Sequence, residues 1–255
     1  MDTQAPITLW FRRDFRLNDH PALAEAARSG RPVIAVFVLD EVAETYGAAP
    51  KWRLAAALDA FADRLERLGS RLIFRRGRAL AQETGARDIW WSRAYEPDAI
   101  ARDTGVKAGL IEAGLGAKSF LGQVLFEPWT VTTKQSSHFK VYSPMWRAVK
   151  NTDVSAPEPT PDQLCPPETW PQSDRLADWG LGAAMNRGAA VLAEHACIGE
   201  DRAGAARGFS GWPRGAVQGM PGFPGRRRYV AAVGKPRLGR DRAAHGLACG
   251  AQGVR

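Results

Sequence analysis

Apolar runs alternate with amphipathic segments along the first 121 residues. Runs rich in β-branched and aromatic residues predict strands, and the run PVIAVFVL at 32–39 is apolar throughout, as in a parallel strand covered on both faces. The predicted strands are Ile7–Phe11, Pro32–Leu39, Leu72–Phe74, Ile89–Trp91 and Ser119–Leu121. The predicted helices are Pro21–Ser29, Lys51–Leu68, Leu80–Thr84 and Pro97–Ala113. This order predicts a doubly wound, Rossmann-like α/β domain built on a five-stranded parallel sheet.

Two predicted helices carry sequence signals at their ends. Within 51–68, leucine and phenylalanine recur at every third or fourth position, which predicts a buried stripe, and Gly69 ends that helix. In the first helix, Pro21 occupies the first turn, Gly30 follows the last turn, and Asp19 is the expected N-cap. Both segments therefore have ends that the sequence alone defines.

The composition changes near residue 151. Six prolines fall within 151–174 without periodicity, which predicts an extended linker after an α/β domain at 1–150. Residues 176–197 can form one helix or two with interrupting glycines, so we assign 175–203 to the start of a second domain. Half of the 26 glycines lie in the last 58 residues, and 204–255 shows no period, which predicts a disordered tail.

The formal charge of +8 resembles the signature of a nucleic-acid-binding protein. However, residues 198–255 contain 11 basic and 3 acidic residues, while the first 197 residues are neutral overall. The entire excess lies in the predicted tail. The net charge is therefore no evidence for a nucleic-acid partner.

Several classes of protein are excluded by simple criteria. No stretch approaches 18 consecutive apolar residues and the N-terminus has no signal peptide, so we expect no membrane association and a cytoplasmic location. Cys165, Cys197 and Cys249 lie far apart and form no C-x-x-C motif. We therefore expect neither a disulfide framework nor a zinc site.

A charged segment follows the first predicted strand, where nucleotide-binding domains carry a phosphate loop. The chain has no G-x-G-x-x-G there and no G-x-x-x-x-G-K-[ST] anywhere. By its charges alone the segment is a solvated turn, with Asp14 in a local ion pair between Arg13 and Arg16. The histidines are isolated, which predicts no metal or triad role for His20, His138, His195 or His245. The tryptophans assigned to packing are Trp90, Trp91, Trp129 and Trp146.

The same segment also carries a family resemblance. Residues 10–23 read W-F-R-R-D-F-R-L-N-D-H-P-A-L, which departs only at Phe15 and His20 from the W-F-R-R-D-L-R-L-x-D-N-P-A-L that opens DNA photolyases and cryptochromes. Further matches follow in the family's order: Val36–Asp40, Gly69–Leu72, Arg76-Gly77, Tyr95–Pro97, Arg102-Asp103, Leu125–Trp129 and Lys140–Ala148. The sequence therefore resembles the DNA photolyase and cryptochrome family, densely over 7–150 and loosely over 151–197.

The resemblance implies two cofactors. The α/β domain of the family holds an antenna chromophore, of deazaflavin or methenyltetrahydrofolate type, and an all-helical domain beginning within 175–203 holds FAD. Reduced FAD, excited through the antenna, donates an electron to a pyrimidine dimer in damaged DNA. Matched to deazaflavin-type relatives, the antenna contacts are Val38, Leu39, Asp40, Lys51 and Asp103. Each also has an ordinary interpretation: the first two as core residues of a strand, Asp40 as a turn cap, the last two as solvated charges.

The function that the resemblance implies is that of a deoxyribodipyrimidine photolyase, a monomeric lyase that repairs cyclobutane pyrimidine dimers in DNA under light. Two alternatives stay open. One is a cryptochrome-type blue-light photoreceptor, because the residues that separate the two groups lie mostly in the helical domain. The other is a stand-alone α/β chromophore-binding module.

The tail at 204–255 resembles coding sequence read out of frame. With free choice of wobble bases and a shift of one base, codons for 217–234 can read Y-R-E-C-R-D-F-P-A-V-D-G-T-S-R-L-S-E. That string contains the family's R-D-x-P-x-x-x-G-T-S-R-L-S motif at the start of the FAD site. We therefore expect a one-base frameshift near codons 201–204, no FAD site, no catalytic residue in this chain, and an inactive, truncated product.

Overall fold

The computed structural model describes residues 5–76, 83, 85–196 and 198. The strands are β1 (Ile7–Phe11), β2 (Val33–Leu39), β3 (Leu72–Arg76), β4 (Asp88–Ser92) and β5 (Gly116–Phe120). The α-helices are α1 (Pro21–Arg28), α2 (Glu41–Glu44), α3 (Ala48–Arg67), α4 (Pro97–Glu112), α5 (Tyr142–Val149) and α6 (Gly188–His195). Short 3-10 helices span Pro128–Thr130, Leu176–Trp179 and Ala183–Met185.

The five strands form one parallel sheet in the order β3-β2-β1-β4-β5. The chain therefore adds strands on one side of β1 and then reverses to add β4 and β5 on the other side. This confirms the predicted five-stranded parallel sheet. The β1–β4 boundary is a topological switch point, where loops at the carboxyl ends of neighbouring strands separate and leave a crevice for a ligand.

Strand β2 is buried on both faces, as its unbroken apolar sequence predicts. Phe37 and Leu39 lie in the larger core with α1 and α3, whereas Ile34 and Val36 lie on the other face with Ile73 of β3. Side chains of a strand alternate between faces, so neighbouring residues of β2 enter different layers. The apolar runs thus specify a central, doubly covered strand.

Helix α3 carries the predicted stripe. It begins three residues before the predicted start, and Leu58, Phe61 and Leu65 are buried against the sheet. Gly69 follows the C-cap with a φ of +80°, a left-handed conformation that glycine adopts without strain. The periodicity of apolar residues identified the buried face of α3. The first turn of the helix carries no apolar periodicity, so its start was placed too late.

The proline-rich segment 151–174 is extended and contains no helix or strand. It nevertheless packs on the sheet: the Leu164 side chain is 0% exposed, and its amide donates to the Leu68 carbonyl over 2.8 Å. The amide of Asp174 donates to the carbonyl of Phe74 in the edge strand β3 over 2.9 Å. The segment therefore covers a sheet edge that would otherwise expose unpaired backbone groups.

Two expectations about this part of the chain meet different outcomes. Cys165, within the extended segment, is disulfide-bonded, which the expectation of no disulfide framework did not foresee. Sequence spacing carried no signal for it, because pairing of cysteines depends on distance in the fold. The segment 176–197 contains two 3-10 helices and α6, consistent with helices interrupted by glycines.

Some predictions fall on residues outside the described ranges. They are the helix Leu80–Thr84, of which only Glu83 is described, and the tail 204–255. Within the described part of the chain, no helix has the length and apolar character that a bilayer crossing requires.

Candidate functional site

A cleft of about 370 Å³ lies at the carboxyl ends of β1, β4 and β5. Its walls come from Arg12–Asp14 after β1, from Ser92–Glu96 after β4, and from Gln123-Val124 beyond β5. This volume falls in the range of small-molecule sites, which is about 300–1,000 Å³. The cleft occupies the switch point of the sheet, where this fold class places ligands.

Arg12 and Asp103 form a partly buried ion pair beside this cleft. The Arg12 guanidinium donates to Asp103 Oδ1 over 2.7 Å and to the Ser92 carbonyl, and both charged side chains are 13% exposed. The indole N–H of Trp91 donates to the other Asp103 oxygen over 3.2 Å. Asp103 therefore links α4 to the ends of β1 and β4, and the interpretation of Asp103 as a solvated charge is wrong.

Asp40 joins the same network through Arg102. One Asp40 oxygen accepts from the Ala43 amide over 2.8 Å and caps α2, as the turn-cap interpretation predicts. The other accepts from the Arg102 guanidinium over 2.9 Å, and Arg102 also lies 3.6 Å from Asp103. The result is a chain of alternating charges, Asp40–Arg102–Asp103–Arg12, across the carboxyl ends of β2 and β1. We call it the charge network.

Trp10, at the end of β1, lies under both cations of the charge network. The guanidinium carbon of Arg12 is 4.8 Å from the centre of its ring and that of Arg102 is 5.8 Å away. Its indole nitrogen is buried and has no hydrogen-bond partner among the described residues. An acceptor atom of a ligand would satisfy that donor.

The structure brings together two of the five predicted antenna residues. Asp40 and Asp103 share the charge network, whereas Leu39 is buried in the main core and Val38 packs on the opposite face against Val36 and its neighbours. Lys51 lies half-buried in the first turn of α3, and no described contact joins it to the network. The sheet alternation explains why two neighbours in sequence, Val38 and Leu39, separate.

Sequence reasoning missed three residues of this site: Trp10, Arg12 and Arg102. Each stood inside a matched motif, but none was assigned a role. A usable signal was present, since two arginines and two aspartates follow strands whose carboxyl ends meet at one edge. Opposite charges at such an edge predict ion pairs across it.

Asp14, which lines the cleft, forms a buried pair with His20. Asp14 Oδ2 lies 2.9 Å from His20 Nε2, and Oδ1 accepts from the Arg12 amide over 3.0 Å. Burial raises the pKa of the Asp14 carboxyl, but hydrogen bonds from His20, from Ser92 and from the Arg12 amide together bring it well below its usual range. The predicted ion pairs of Asp14 with flanking arginines are wrong, because its partner is His20.

The N-cap of α1 is His20 rather than Asp19. The backbone of His20 is extended, and its Nδ1 accepts from the Leu23 amide over 3.1 Å. Asp19 has a φ of +50°, and its amide donates to the Glu158 carbonyl over 2.6 Å. The tertiary contact with the extended segment thus shifts the cap by one residue.

The outer wall of the cleft consists of paired charges. Arg13 donates to Glu96 over 2.5 Å on the exposed rim, which lowers the pKa of Glu96. Arg93 donates to Glu127 from two nitrogens, over 2.9 Å and 2.6 Å. Burial raises the pKa of Tyr95, whose hydroxyl accepts from a backbone amide beyond β5. The wall is therefore polar but electrically balanced.

The tryptophans divide into two groups. Trp90 and Trp91 are buried on β4, which confirms their assignment to packing, whereas Trp129 and Trp146 are exposed and that assignment is wrong for them. Their ring contacts lie at the surface, Trp129 with Tyr95 and Trp146 with Tyr142. Among the described residues, no group of three or more His, Cys, Asp or Glu is arranged to hold a metal ion.

A family model described as DNA photolyase matches this chain from residue 7 to residue 163, more than half of its length. The chain belongs to the DNA photolyase family. A deoxyribodipyrimidine photo-lyase of Agrobacterium fabrum is 40% identical over 184 residues, which cover 69% of this chain and 38% of that relative. Cryptochrome-1 of Arabidopsis thaliana is 34% identical over 170 residues, which cover 63% of this chain and 24% of the cryptochrome.

Solved structures agree with this assignment. The crystal structure of a bacterial class III photolyase from Agrobacterium tumefaciens matches with a TM-score of 0.65 and 38% identity, over 70% of this chain and 38% of that one. The chain thus spans less than half the length of the DNA photolyase relatives that it matches. The family model covers the five-stranded α/β domain and the first half of the extended segment that follows it.

Proposed function

We propose that this chain carries the antenna-binding α/β domain, residues 1–150, of a light-dependent DNA-repair lyase. The observation that carries the proposal is the charge network beside Trp10, which joins two predicted antenna contacts at the edge of a ligand-sized cleft. The buried indole N–H of Trp10 fits this assignment, because it needs an acceptor that no described residue supplies.

The proposed antenna contacts are Val38, Leu39, Asp40, Lys51 and Asp103. The chromophore, of deazaflavin or methenyltetrahydrofolate type, absorbs light and passes the excitation on. Asp40 and Asp103 keep Arg12 and Arg102 in place, so that the cations stay against Trp10. In this proposal the protein groups orient an aromatic ligand, and proton transfer is not required of them.

The test is a titration of the purified chain with 5,10-methenyltetrahydrofolate and, separately, with 8-hydroxy-5-deazaflavin. We expect one of them to bind at one site per chain. Asp103→Ala should weaken that binding by about tenfold, the effect of losing one charged hydrogen-bond acceptor, because Arg12 and Trp91 lose their partner.

Asp98→Ala is the matched control, since Asp98 is an exposed carboxylate in the first turn of the same helix α4. This variant should bind the chromophore like the parent chain. Equal affinity of the parent chain and Asp103→Ala for the chromophore would show that Asp103 is not part of the binding site. No binding of either chromophore would contradict the proposed antenna function.

The whole enzyme to which this domain belongs is proposed to be a monomeric, cytoplasmic deoxyribodipyrimidine photolyase acting on damaged DNA through FAD. The 40% identity with the Agrobacterium fabrum photo-lyase supports it. A cryptochrome-type photoreceptor is the second candidate, supported by the 34% identity with Arabidopsis cryptochrome-1. Repair of pyrimidine dimers under blue light by the protein with its reading frame corrected supports the photolyase, and its absence supports the cryptochrome.

We further propose that 175–203 begins the helical FAD domain after the linker 151–174, and that 204–255 is read out of frame. The shifted reading, with its G-T-S-R-L-S motif at the expected position, supports this. The chain as given is then expected to bind no FAD stoichiometrically and to lack repair activity.

Nucleotide sequencing around codons 195–210 tests the frame, and absorption spectroscopy of the purified chain tests the cofactor. We expect the shifted frame to be open beyond these codons and the spectrum to lack an oxidised-flavin band. Stop codons in the shifted frame, or one bound flavin per chain, would refute the frameshift.

A further inference from the structure

We propose that His20 is a positioning residue for the cleft: as a neutral imidazole it holds Asp14, and through Asp14 it sets the backbone of Arg12. The pair lies outside the predicted antenna contacts. Its link to ligand binding rests on the proposed function, whereas the geometry of the pair stands without it.

The ring of His20 makes two hydrogen bonds of opposite sense. Nδ1 accepts from the Leu23 amide over 3.1 Å, so it carries no proton, and Nε2 therefore donates to Asp14 over 2.9 Å. The side chain is 2% exposed, and its ring centre lies 5.0 Å from that of Phe11. Only the neutral Nε2–H tautomer satisfies both partners, so the fold selects that tautomer.

Asp14 transmits this position to the cleft. Its second oxygen accepts from the Arg12 amide over 3.0 Å, and a further side-chain hydrogen bond joins it to Ser92 at the end of β4. The Arg12 guanidinium in turn holds Asp103 and the Ser92 carbonyl. Asp14 therefore ties the ends of β1 and β4 together where they form one wall of the cleft.

An asparagine at position 20 would have the same hydrogen-bonding capacity. Its amide oxygen accepts and its amide nitrogen donates, which are the two roles of the His20 ring. The family string has Asn where this chain has His20. A phenylalanine would fill similar space but could neither cap α1 nor donate to Asp14. His20→Asn and His20→Phe are therefore a matched pair of variants.

The first test needs no ligand. In the full chain labelled with ¹⁵N, NMR at neutral pH should show His20 as the Nε2–H tautomer and slow hydrogen exchange at the Arg12 and Leu23 amides. His20→Asn should retain both protected amides, while His20→Phe should accelerate their exchange by about tenfold or more through local opening. An Nδ1–H tautomer, or a doubly protonated ring, in the parent chain would overturn the proposal even if His20→Phe failed to fold.

The second test measures binding of 5,10-methenyltetrahydrofolate. We expect the Kd of His20→Asn to lie within about twofold of the parent value and that of His20→Phe to rise by about tenfold. An unchanged Kd in His20→Phe would overturn the positioning role. If the parent chain binds no folate, the proposed antenna function is contradicted for that chromophore. The tautomer and the hydrogen-exchange data still decide the role of His20.

Discussion

Replacing Asp14 with alanine is expected to lower the free energy of unfolding by about 2–5 kcal/mol. The carboxylate is buried and accepts from His20 and from the Arg12 amide. Alanine would leave both donors buried without an acceptor, and each unsatisfied buried donor costs about 1–3 kcal/mol. Urea unfolding followed by circular dichroism measures the effect.

Glu96→Ala is the control for Asp14→Ala. Glu96 also pairs with a cation at the cleft, but its side chain is 55% exposed. Solvent screens such a pair, so the control should change the free energy of unfolding by less than about 1 kcal/mol. Equal effects of the two replacements on the free energy of unfolding would show that burial of Asp14 does not add to its contribution to stability.

The difference in stability between the parent chain and Asp14→Ala should depend on pH, because the pKa of Asp14 is lowered in the folded state. A carboxyl whose pKa is lower in the folded state stabilises the fold fully above its unfolded pKa, which is about 4 for aspartate. That contribution is lost as the pH falls below this value. We therefore expect the stability gap between the parent and Asp14→Ala to narrow progressively in acid, and a gap that widened there would contradict the assignment.

Leu164→Ala is expected to lower the free energy of unfolding by about 2–5 kcal/mol. Leu164 belongs to the proline-rich segment, yet it is fully buried in the main core with Leu65 and Leu72. The truncation removes apolar contacts and leaves a cavity in the main core. The same urea unfolding experiment measures the loss.

Leu125→Ala provides the matched truncation. Leu125 is 70% exposed, so its replacement should change stability by no more than about 0.5 kcal/mol. If Leu164→Ala lowered the free energy of unfolding no more than this control, the extended segment would contribute nothing to the stability of the α/β unit. A larger loss in Leu164→Ala would show that the segment is part of its core.

Much of the fold could be predicted from local pattern. The apolar run of β2 and the leucine stripe of α3 each identified an element and its buried face, because strand and helix periods are properties of a few neighbouring residues. The ends were less certain: the first turn of α3 and the cap of α1 depend on contacts made elsewhere. Asp19 was the better cap by residue type, but α1 begins at Pro21, which places His20 at the cap position.

The candidate site shows the same division. Asp40 and Asp103 were predicted from motif matches, but Arg12 and Arg102, which join them, were not. Their pairing spans 62 residues between Asp40 and Arg102 and 91 between Arg12 and Asp103. The sequence around one partner does not indicate the other, because the contact between them depends on the order of strands in the sheet.

The sequence by itself determined the α/β class, the five strands, the family and the chain segments at the ligand edge, because these rest on periodicity and on ordered motifs. The tertiary structure alone decided that Asp14 is buried against His20, that Leu164 belongs to the core, and that Val38 and Leu39 face different layers. Each of these depends on strand order and side-chain alternation, which bring distant residues together and separate adjacent ones.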